Sequence, residues 1–421
     1  MTASADADVI IAGAGMAGTT LALALASAGL SAILIDPQPF EAQSAPTFDG
    51  RASAISFAAF RQWRAVRAAP FLEPHAQRIE QILVTDGRSP GAAAPGAGSA
   101  FLRFDAAEID GRAQGDALGY MIENRHIRAG LAQAVGAAGV KVLAPARVMR
   151  LETAPSDAPG RARVFLEGGR TLTAPLVVGA DGRGSMVRRE AGIGAIGWDY
   201  GQAGVVATVA LERDHHGVAY EHFLPSGPFA ILPLTGRRAS LVWTERAARG
   251  AALKDARPEV FEAHLRRRFG AFLGKIAVEG PRFCYPLSLL LADRLTAPRI
   301  ALVGDAGHAI HPIAGQGLNM GLKDAAALAQ VLADAVRLGE DLGAETTLDR
   351  YGRWRSLDNI GVALATDAFT RLFSNDHPLL RSAREAGMAA VNRIGPARRF
   401  FMREAGGALG DLPRLLRGEA L

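Results

Sequence analysis

The stretch that decides the fold is DVIIAGAGMAGTTLALALASAGLSAILID, which covers residues 8–36. A short apolar run leads into GAGMAG, a segment of helical length and composition follows, and a second apolar run ends at Asp36. This order predicts a strand, a helix and a second strand around the spacing GxGxxG, formed by Gly13, Gly15 and Gly18. In such units the glycines permit a tight turn, close approach of a pyrophosphate and close helix packing, while the acid reaches ribose hydroxyls. We therefore expect a dinucleotide site, and the motif alone leaves NAD and FAD open.

A second informative stretch is RIALVGDAGHAIHPIAGQGLNMGLKD, residues 299–324. It predicts an apolar strand that ends at Asp305, a loop rich in proline and glycine, and a helix. A strand-end aspartate can accept hydrogen bonds from a polyol, and successive N–H groups around 315–317 can hold electron-rich oxygens. FAD requires both features, so this stretch favours FAD over NAD. The DGR tripeptide at 49–51 precedes a predicted helix over 53–67, which places Arg51 either near the dinucleotide or on the surface after a turn.

The length of 421 residues predicts two interwoven domains, and 49% hydrophobic with 21% charged residues excludes a disordered or fibrous chain. Between residues 198 and 244 several short apolar strands follow one another without helices, which predicts an antiparallel sheet inserted in an α/β domain. The predicted strands are Ala203–Leu211, Ala219–Phe223, Phe229–Leu234 and Ser240–Trp243. We assign 1–75, 105–185 and 283–365 to the nucleotide-binding domain, 76–104 and 186–282 to the β-sheet substrate domain, and 366–421 to a helical C-terminal region.

The charge of the chain is unevenly distributed. Subtracting 42 acidic from 47 basic residues gives +5, and the stretch 371–421 has nine arginines and five acids, a difference of +4. Such an excess has two readings. It can belong to solvated helix faces, or it can attract basic amphipathic helices to an anionic membrane surface.

Cysteine usage and targeting signals bear on the compartment. Cys284 is the only cysteine, so an intramolecular disulfide is impossible and a cysteine-ligated metal site is not expected. The N-terminal residues do not have the pattern of a signal peptide, and no run of about 20 apolar residues predicts a bilayer span. We expect a cytoplasmic protein without metal or nucleic acid, with attachment to the inner face of the cytoplasmic membrane left open.

Three motifs occur in order: GAGMAG with Asp36, ADGRGS at 180–185, and VGDAGHAIHP with AGQGLN at 303–319. Together they resemble the single-component FAD-dependent aromatic hydroxylases of the para-hydroxybenzoate hydroxylase fold. Within that family the chain is similar, nearly end to end, to the ubiquinone-biosynthesis hydroxylases. That likeness rests on HPIAGQGLNMGLKD, GYMIENRHIR (119–128), WDYGQ (198–202), GPFAILPL (227–234) and FSNDHPLLRSAREAGM (373–388). The resemblance implies a Rossmann-like FAD domain of the GR2 type, the inserted sheet domain and a helical tail.

The resemblance also implies roles for individual residues. Gly13, Gly15 and Gly18 would hold the FAD pyrophosphate, Asp36 the adenosine ribose and Asp305 the ribityl chain, with Arg51 and Arg125 beside the cofactor. Asp181 and Gly182 belong to a motif that the family associates with both FAD and NAD(P)H. The loop and helix start that would bind the edge of the flavin, where negative charge develops on reduction, comprise Pro312, Gly315, Gln316, Gly317, Leu318 and Asn319.

The family's chemistry uses NAD(P)H to reduce FAD, adds O2 at flavin C4a to give a hydroperoxide, and transfers one oxygen to an electron-rich ring. By resemblance the substrate is a polyprenylated phenol or benzoquinol, with other quinone-biosynthesis proteins as expected partners.

His311 is the candidate for phenol deprotonation, and a loop-stabilising histidine is the alternative. His222, Phe223, Leu232 and Pro233 are the candidate pocket wall, with plain core packing as the alternative. Two other functions stay open: a hydroxylase of a small soluble aromatic, and a non-catalytic flavoprotein subunit of a biosynthetic complex.

Overall fold

The computed structural model describes residues 5–86, 100–108, 117–153, 160–311 and 315–373. Toward the C terminus it describes 394–395, 402, 406–407 and 410–421. Within these residues the strands are β1 (Val9–Ala12), β2 (Ala32–Ile35), β3 (Ala52–Ser56), β4 (Gln77–Ile79), β5 (Gln81–Asp86), β6 (Ala100–Asp105), β7 (Gly119–Glu123), β8 (Lys141–Leu143), β9 (Val148–Glu152), β10 (Ala162–Leu166), β11 (Thr171–Ala174), β12 (Leu176–Gly179), β13 (Ala195–Leu211), β14 (Val218–Leu224), β15 (Gly227–Leu234), β16 (Arg238–Arg246), β17 (Ile276–Ala292), β18 (Thr296–Ala297), β19 (Ile300–Leu302) and β20 (His308–Ala309).

The α-helices of the described residues are α1 (Met16–Ser27), α2 (Phe40–Gln43), α3 (Phe57–Ala65), α4 (Asn124–Ala137), α5 (Met186–Glu190), α6 (Ala247–Asp255), α7 (Pro258–Phe269), α8 (Gln316–Arg337), α9 (Glu345–Phe373) and α10 (Arg414–Arg417). Short 3-10 turns lie at Ala69–Phe71, Glu73–His75, Ala106–Glu108 and Gly304–Ala306. The confirmed fold class is α/β with an antiparallel sheet, and the helices near the C terminus agree with the predicted helical tail.

A six-stranded sheet with the order β18-β19-β12-β1-β2-β8 forms the nucleotide-binding part. Strand β1 pairs in parallel with both β2 and β12, and every residue of these three strands is buried. Burial on both faces explains why these segments are continuous apolar runs rather than alternating ones. Helices α1 and α8 pack together over this sheet, and their apolar residues belong to the main core. The carboxyl ends of β1 and β19 therefore point to one edge of the sheet.

The second large sheet has eight strands in the order β20-β17-β13-β16-β15-β14-β5-β6. One face packs against α6 and α7, through residues that include Trp243, Phe229 and Phe261. The opposite face, which we call the inner face, carries Ala219 and Leu234, and these two belong to the main core together with the nucleotide-binding part. The inner face is thus the side of the sheet that meets the dinucleotide region.

Two elements differ from the sequence prediction. The predicted helix over 53–67 begins with strand β3, and α3 starts only at Phe57, after Ser56 accepts a hydrogen bond from the Ala59 amide as an N-cap. The nucleotide-binding domain is predicted to resume at residue 283, whereas β17 continues in the eight-stranded sheet to Ala292. Short apolar runs do not distinguish a strand from the first turn of a helix, which explains the first difference. The second arises because an apolar strand does not reveal in sequence which of two sheets it joins.

The C-terminal residues dock on the nucleotide-binding part. Leu415 and Leu416 are buried in the main core, and the Arg414 amide donates to the Gln330 side chain at 2.8 Å. The Trp354 indole donates to the Asp411 carbonyl at 3.0 Å. Among the residues that the structure describes, no helix has the length and apolar character needed to cross a bilayer.

Candidate functional site

The three glycines of GAGMAG have different surroundings. A Cβ at Gly13, whose φ is +106°, would collide with the carbonyl oxygen of Ala180, and a Cβ at Gly18 would collide with the Gly13 carbonyl. A Cβ at Gly15 would meet no atom within 4 Å. Gly13 and Gly18 are therefore required by the packing of the protein itself, whereas Gly15 faces open space at the start of α1. A helix N-terminus with open space before it suits an anionic pyrophosphate.

Asp36, at the end of β2, holds the glycine loop in place. Its Oδ2 accepts a hydrogen bond from the Ala14 amide at 2.8 Å, and its Oδ1 accepts one from the Gln38 amide at 2.8 Å. Each carboxylate oxygen has a further lone pair, so both can still accept from ribose hydroxyls. The structure therefore shows that Asp36 shapes the glycine loop, and its contact with the adenosine ribose stays a prediction.

Asp305 lies on the 3-10 turn Gly304–Ala306 at the end of β19 and is exposed. Its carboxylate makes no hydrogen bond to the part of the chain that the structure describes. Burial lowers the pKa of the Arg51 guanidinium, but the hydrogen bond and charge of Asp49, followed by Tyr285 and Asp305, raise it above its ordinary value. The structure thus brings the two predicted cofactor residues Asp305 and Arg51 to one place.

Asn319 in the first turns of α8 ties this helix to strand β3. Its Oδ1 accepts from the Ser56 amide at 3.0 Å, and its Nδ2 donates to the carbonyls of Ala54 at 2.8 Å and Gly315 at 3.1 Å. Gly315, the residue before α8, has a φ of +63° that favours glycine. The side chain of Asn319 is therefore used in the protein, and its surroundings leave the backbone of the helix start to act on a ligand.

The rest of the predicted flavin loop has mixed surroundings. Gln316, Gly317 and Leu318 are half-buried in the first turn of α8, and Leu318 packs against the main core. Pro312 lies outside the described residues. The predicted loop is thus described only from Gly315 onward.

Asp49 is a buried carboxylate that sequence reasoning missed. It accepts from Arg51 through Nε and Nη2 at 2.9 Å, from Arg128 at 2.8 Å, from Asn124 at 3.0 Å and from the Tyr285 hydroxyl at 3.3 Å. Burial alone would raise the pKa of Asp49, but the bonds from Arg51, Asn124 and Arg128 hold it well below its usual range. Tyr285 belongs to β17, so this ionised group links the inner face to the nucleotide-binding part.

Arg125, predicted to flank the cofactor, pairs with Glu123 at 3.0 Å. Glu123 also binds Arg238 of β16 at 3.1 Å, which is a second ionic link between the two parts of the molecule. The Nε atom of Arg125 is buried and has no partner within the described residues. Arg125 therefore retains one donor that is available to a ligand.

Asp181 caps a short helix. Its Oδ2 accepts from the amides of Met186 at 2.7 Å and Val187 at 3.2 Å, at the start of α5. Its Oδ1 is buried and lacks a partner in the described part of the chain. Gly182 follows with a φ of +79°, in the turn that leads to this helix. One oxygen of Asp181 thus stabilises α5, and the other remains for a bound group.

A buried ionic cluster lies directly under the Asp305 turn, and its members are far apart in sequence. Asp324 is fully buried and accepts from Arg355 Nε at 2.8 Å, from Asn359 at 3.2 Å and from the Gly304 amide at 3.1 Å. The His308 ring also bonds to Asp324. Burial raises the pKa of Asp324, but His308 and Arg355 together hold it below its usual range. The carboxylate therefore fixes the turn that presents Asp305.

His311 is 1% exposed, and neither ring nitrogen has a partner among the described residues. The ring of Tyr200 meets it edge-on at 5.4 Å between centroids. Burial lowers the pKa of His311 to about 4, so the imidazole is neutral at physiological pH. A neutral imidazole can accept a proton or a hydrogen bond, and the catalytic role of His311 stays a prediction.

The four predicted pocket residues do not share one face. Phe223 and Leu232 lie on the inner face, because strand alternation places them with Ala219 and Leu234. His222 and Pro233 point to the helix-covered face, in register with Phe229 and Ala239 of the helix-packed core. His222 bonds to Thr85, and burial lowers its pKa to about 4. Only Phe223 and Leu232 therefore remain candidates for the pocket wall, since the other two point to the opposite face.

Comparison with known proteins decides the family. Residues 6–359 match the model of an FAD binding domain. The whole chain aligns at 46% identity with 95% of the ubiquinone hydroxylase UbiL of Rhodospirillum rubrum. At 35% identity, 94% of the chain aligns with 98% of 3-demethoxyubiquinol 3-hydroxylase of Escherichia coli. The chain belongs to this family of FAD-dependent hydroxylases.

Solved structures agree with the fold of this hydroxylase. The p-nitrophenol 4-monooxygenase PnpA of Pseudomonas putida superposes with a TM-score of 0.77 over 96% of this chain and 98% of that one, at 18% identity. At that identity the likeness supports the fold alone. The resemblance inferred from the motifs is confirmed, and so is FAD as the cofactor.

The residues of this FAD-dependent hydroxylase fit the cofactor. Gly15 borders open space, and Asp305 offers an exposed carboxylate that has no hydrogen bond within the described residues. The N-terminus of α8 has backbone N–H groups without intrahelical partners. FAD, when bound, supplies the redox chemistry and the activation of O2, with NAD(P)H as the usual reductant of the family. The described residues contain no group of three or more metal-ligating side chains. The chain itself has to bind, orient and exclude water.

Proposed function

We propose that the protein hydroxylates the aromatic ring of a polyprenylated phenol or benzoquinol intermediate of ubiquinone biosynthesis, with NAD(P)H and O2 as co-substrates. The names of its curated relatives support this substrate class. The observation that carries it is the apolar inner face beside the cofactor residues. There Phe283 packs so closely on Gly50, next to Arg51, that a Cβ on that glycine would collide with its ring.

The inner face suits an apolar aromatic. One row of residues crosses the sheet in register and is apolar except at Glu221. It comprises Val84, Glu221, Ala230, Val242, Val206 and Phe283. Ligand sites are usually apolar walls with few polar groups. We assign Phe223 and Leu232 to the same wall, and the FAD-facing groups Asp49, Arg51 and Asp305 to its cofactor side.

The reaction can be tested directly. Purified protein with FAD, NADH or NADPH, and isotopically labelled O2 is expected to add one labelled oxygen to a short-chain prenylated phenol, as detected by mass spectrometry. The unprenylated ring is the comparison, because loss of the tail removes apolar contact worth about 0.8 kcal/mol per buried methylene. Equal kcat/KM for both compounds would favour a small soluble substrate, and FAD reduction without any product would defeat the proposal.

We further propose that the protein is cytoplasmic and attaches to the inner face of the cytoplasmic membrane through α9. Three apolar side chains on this helix are exposed: Leu357 by 81%, Ile360 by 47% and Leu364 by 59%. Spacings of three and four residues place them on one face. Arg353, one turn earlier, is 85% exposed and can approach anionic lipid. A substrate with a polyprenyl tail resides in the membrane, so the protein would bind it at the membrane surface to which α9 attaches.

The double substitution Leu357→Glu and Leu364→Glu is expected to reduce sedimentation with anionic liposomes by at least about tenfold. Burial of each leucine contributes about 1.5–3 kcal/mol, and the added carboxylates repel anionic lipid. The matched control is Val336→Glu with Leu338→Glu, because these side chains at the end of α8 are also exposed, by 48% and 69%. Equal loss for both pairs would show a nonspecific effect and contradict the assignment to α9.

A further inference from the structure

Glu221 is the ionisable residue in an otherwise apolar row of the inner face. In register it stands between Val84 of β5 and Ala230 of β15, and the row continues through Val242 and Val206. The side chain is partly exposed and makes no hydrogen bond or ion pair with the described residues. A carboxyl group set in an apolar wall has lost part of its water without gaining a protein partner among these residues, which is costly unless a ligand supplies one.

The groups that face Glu221 are apolar on each packed strand. Ala219 and Phe223 are the inner-face neighbours on β14, and Ala230 with Leu232 follows on β15. Burial is the one influence on its acidity, and it raises the pKa of Glu221 to about 7. Among the described residues of the adjoining strand β5, Asp86 is a further carboxylic residue at an inner-face register position, opposite Phe223. Glu221 can therefore take or give a proton near neutral pH.

Two hydroxyls on the same face also lack partners. Ser240 and Thr244 of β16 are each 1% exposed, and their side-chain oxygens have no hydrogen bond within the described residues. Both flank Val242, which lies in the row of Glu221. A buried polar group without a partner costs about 1–3 kcal/mol. Three polar groups on an apolar wall are the arrangement by which a pocket orients a ring with polar substituents.

We propose that Glu221 is a catalytic residue that binds a ring hydroxyl of the aromatic substrate and accepts its proton, while Ser240 and Thr244 hydrogen-bond the other ring oxygens. The phenolic O–H bond breaks and an O–H bond forms on the Glu221 carboxylate. The electron pair left on the phenolic oxygen increases the electron density of the ring carbons that receive the oxygen atom. This inference rests on the proposed hydroxylation.

The test is Glu221→Gln, which keeps the size of the side chain and removes its titration. For the wild type, kcat/KM is expected to rise with pH through about 7, because the carboxylate must be unprotonated to act as a base. For the variant, kcat/KM at pH 8 is expected to fall by about 100-fold, within the usual range for general-base catalysis, and the inflection to disappear. The substrate dissociation constant, read from the flavin absorbance, should lose its dependence on pH in the same way.

Two controls separate the possible failures. Glu279→Gln alters an ion-paired carboxylate at the exposed end of β17 and should keep the wild-type profile. Asp86→Asn tests the other nearby acid, and an inflection that disappears with Asp86 but persists without Glu221 overturns the inference. Absence of product from the wild type would instead defeat the proposed function. If Glu221→Gln yields no flavin-loaded protein, Glu221→Ser gives the same two readouts, and a retained inflection there also overturns the inference.

Discussion

Replacement of Arg355 by methionine is expected to lower the free energy of unfolding by about 3–5 kcal/mol, because it leaves Asp324 as a buried charge without its cation. Both side chains are at most 1% exposed, and Arg355 also bonds to Asp358 and Asn359. Methionine fills most of the volume of arginine, so the loss measures the charge rather than a cavity. Thermal and urea unfolding of the apoprotein would check the value.

The matched control lies on the same helix. Arg353 pairs with Asp349 at 3.3 Å but is 85% exposed, so Arg353→Met is expected to change stability by no more than about 0.5 kcal/mol. The double substitution Asp324→Asn with Arg355→Met removes both charges and should recover part of the loss. Equal effects of Arg353→Met and Arg355→Met would contradict an essential buried cluster.

The same substitution should reach the cofactor site. Asp324 accepts from the Gly304 amide, and Gly304 begins the turn that carries Asp305. Loss of the cation loosens this carboxylate, so FAD affinity of Arg355→Met, measured by flavin fluorescence, should fall in parallel with stability.

The contribution of Asp324 to the free energy of unfolding depends on pH with a defined sign. The pKa of Asp324 is depressed in the folded protein, so its contribution is present above its ordinary value of 3.8 and is lost as the pH falls below that value.

The dinucleotide unit could be predicted from the sequence because its determinants are local. Strand, glycine loop, helix and acid all lie within 29 consecutive residues, 8–36, and each follows from composition at a fixed spacing. Four of the eight strands of the second sheet, β13 to β16, are also predicted. Most of their ends move by no more than three residues, but β13 begins at Ala195 instead of Ala203. In each case hydrophobic runs separated by turns carried the information.

The Asp324 cluster could not be predicted, because its members Gly304, Asp324 and Arg355 meet only in the folded chain. Each of them looks unremarkable beside its neighbours in sequence. The sequence GPFAILPL also does not reveal which face of the sheet each residue occupies. Both faces of β15 are buried, so polar and apolar residues do not alternate along it. His222 and Pro233 were therefore grouped with Phe223 and Leu232, although neighbours along a strand point to opposite sides. The face of Glu221 on β14 is likewise not evident from the sequence, because buried residues lie on both sides of that strand.

The second large effect is expected at the glycine loop, where Gly13→Ala should destabilise the apoprotein by about 3–5 kcal/mol. The φ of +106° is one that alanine rarely adopts, and its Cβ would collide with the Ala180 backbone, which cannot move as a flexible side chain can. Because Ala180 directly follows the central strand β12 and its amide is bonded to the Ala12 carbonyl, the strain is not relieved locally. Thermal unfolding without FAD measures this effect.

Gly15→Ala provides the contrast, because its Cβ would meet no protein atom and its φ of −68° suits alanine. Stability without FAD should change by no more than about 0.5 kcal/mol. FAD affinity should nevertheless fall at least about tenfold, or about 1.4 kcal/mol, since the methyl group enters the space that the pyrophosphate needs. The two variants thus separate a glycine required by the fold from one required by the ligand. Unchanged FAD affinity in Gly15→Ala would place the pyrophosphate elsewhere, and a normal unfolding temperature in Gly13→Ala would contradict the close contact with Ala180.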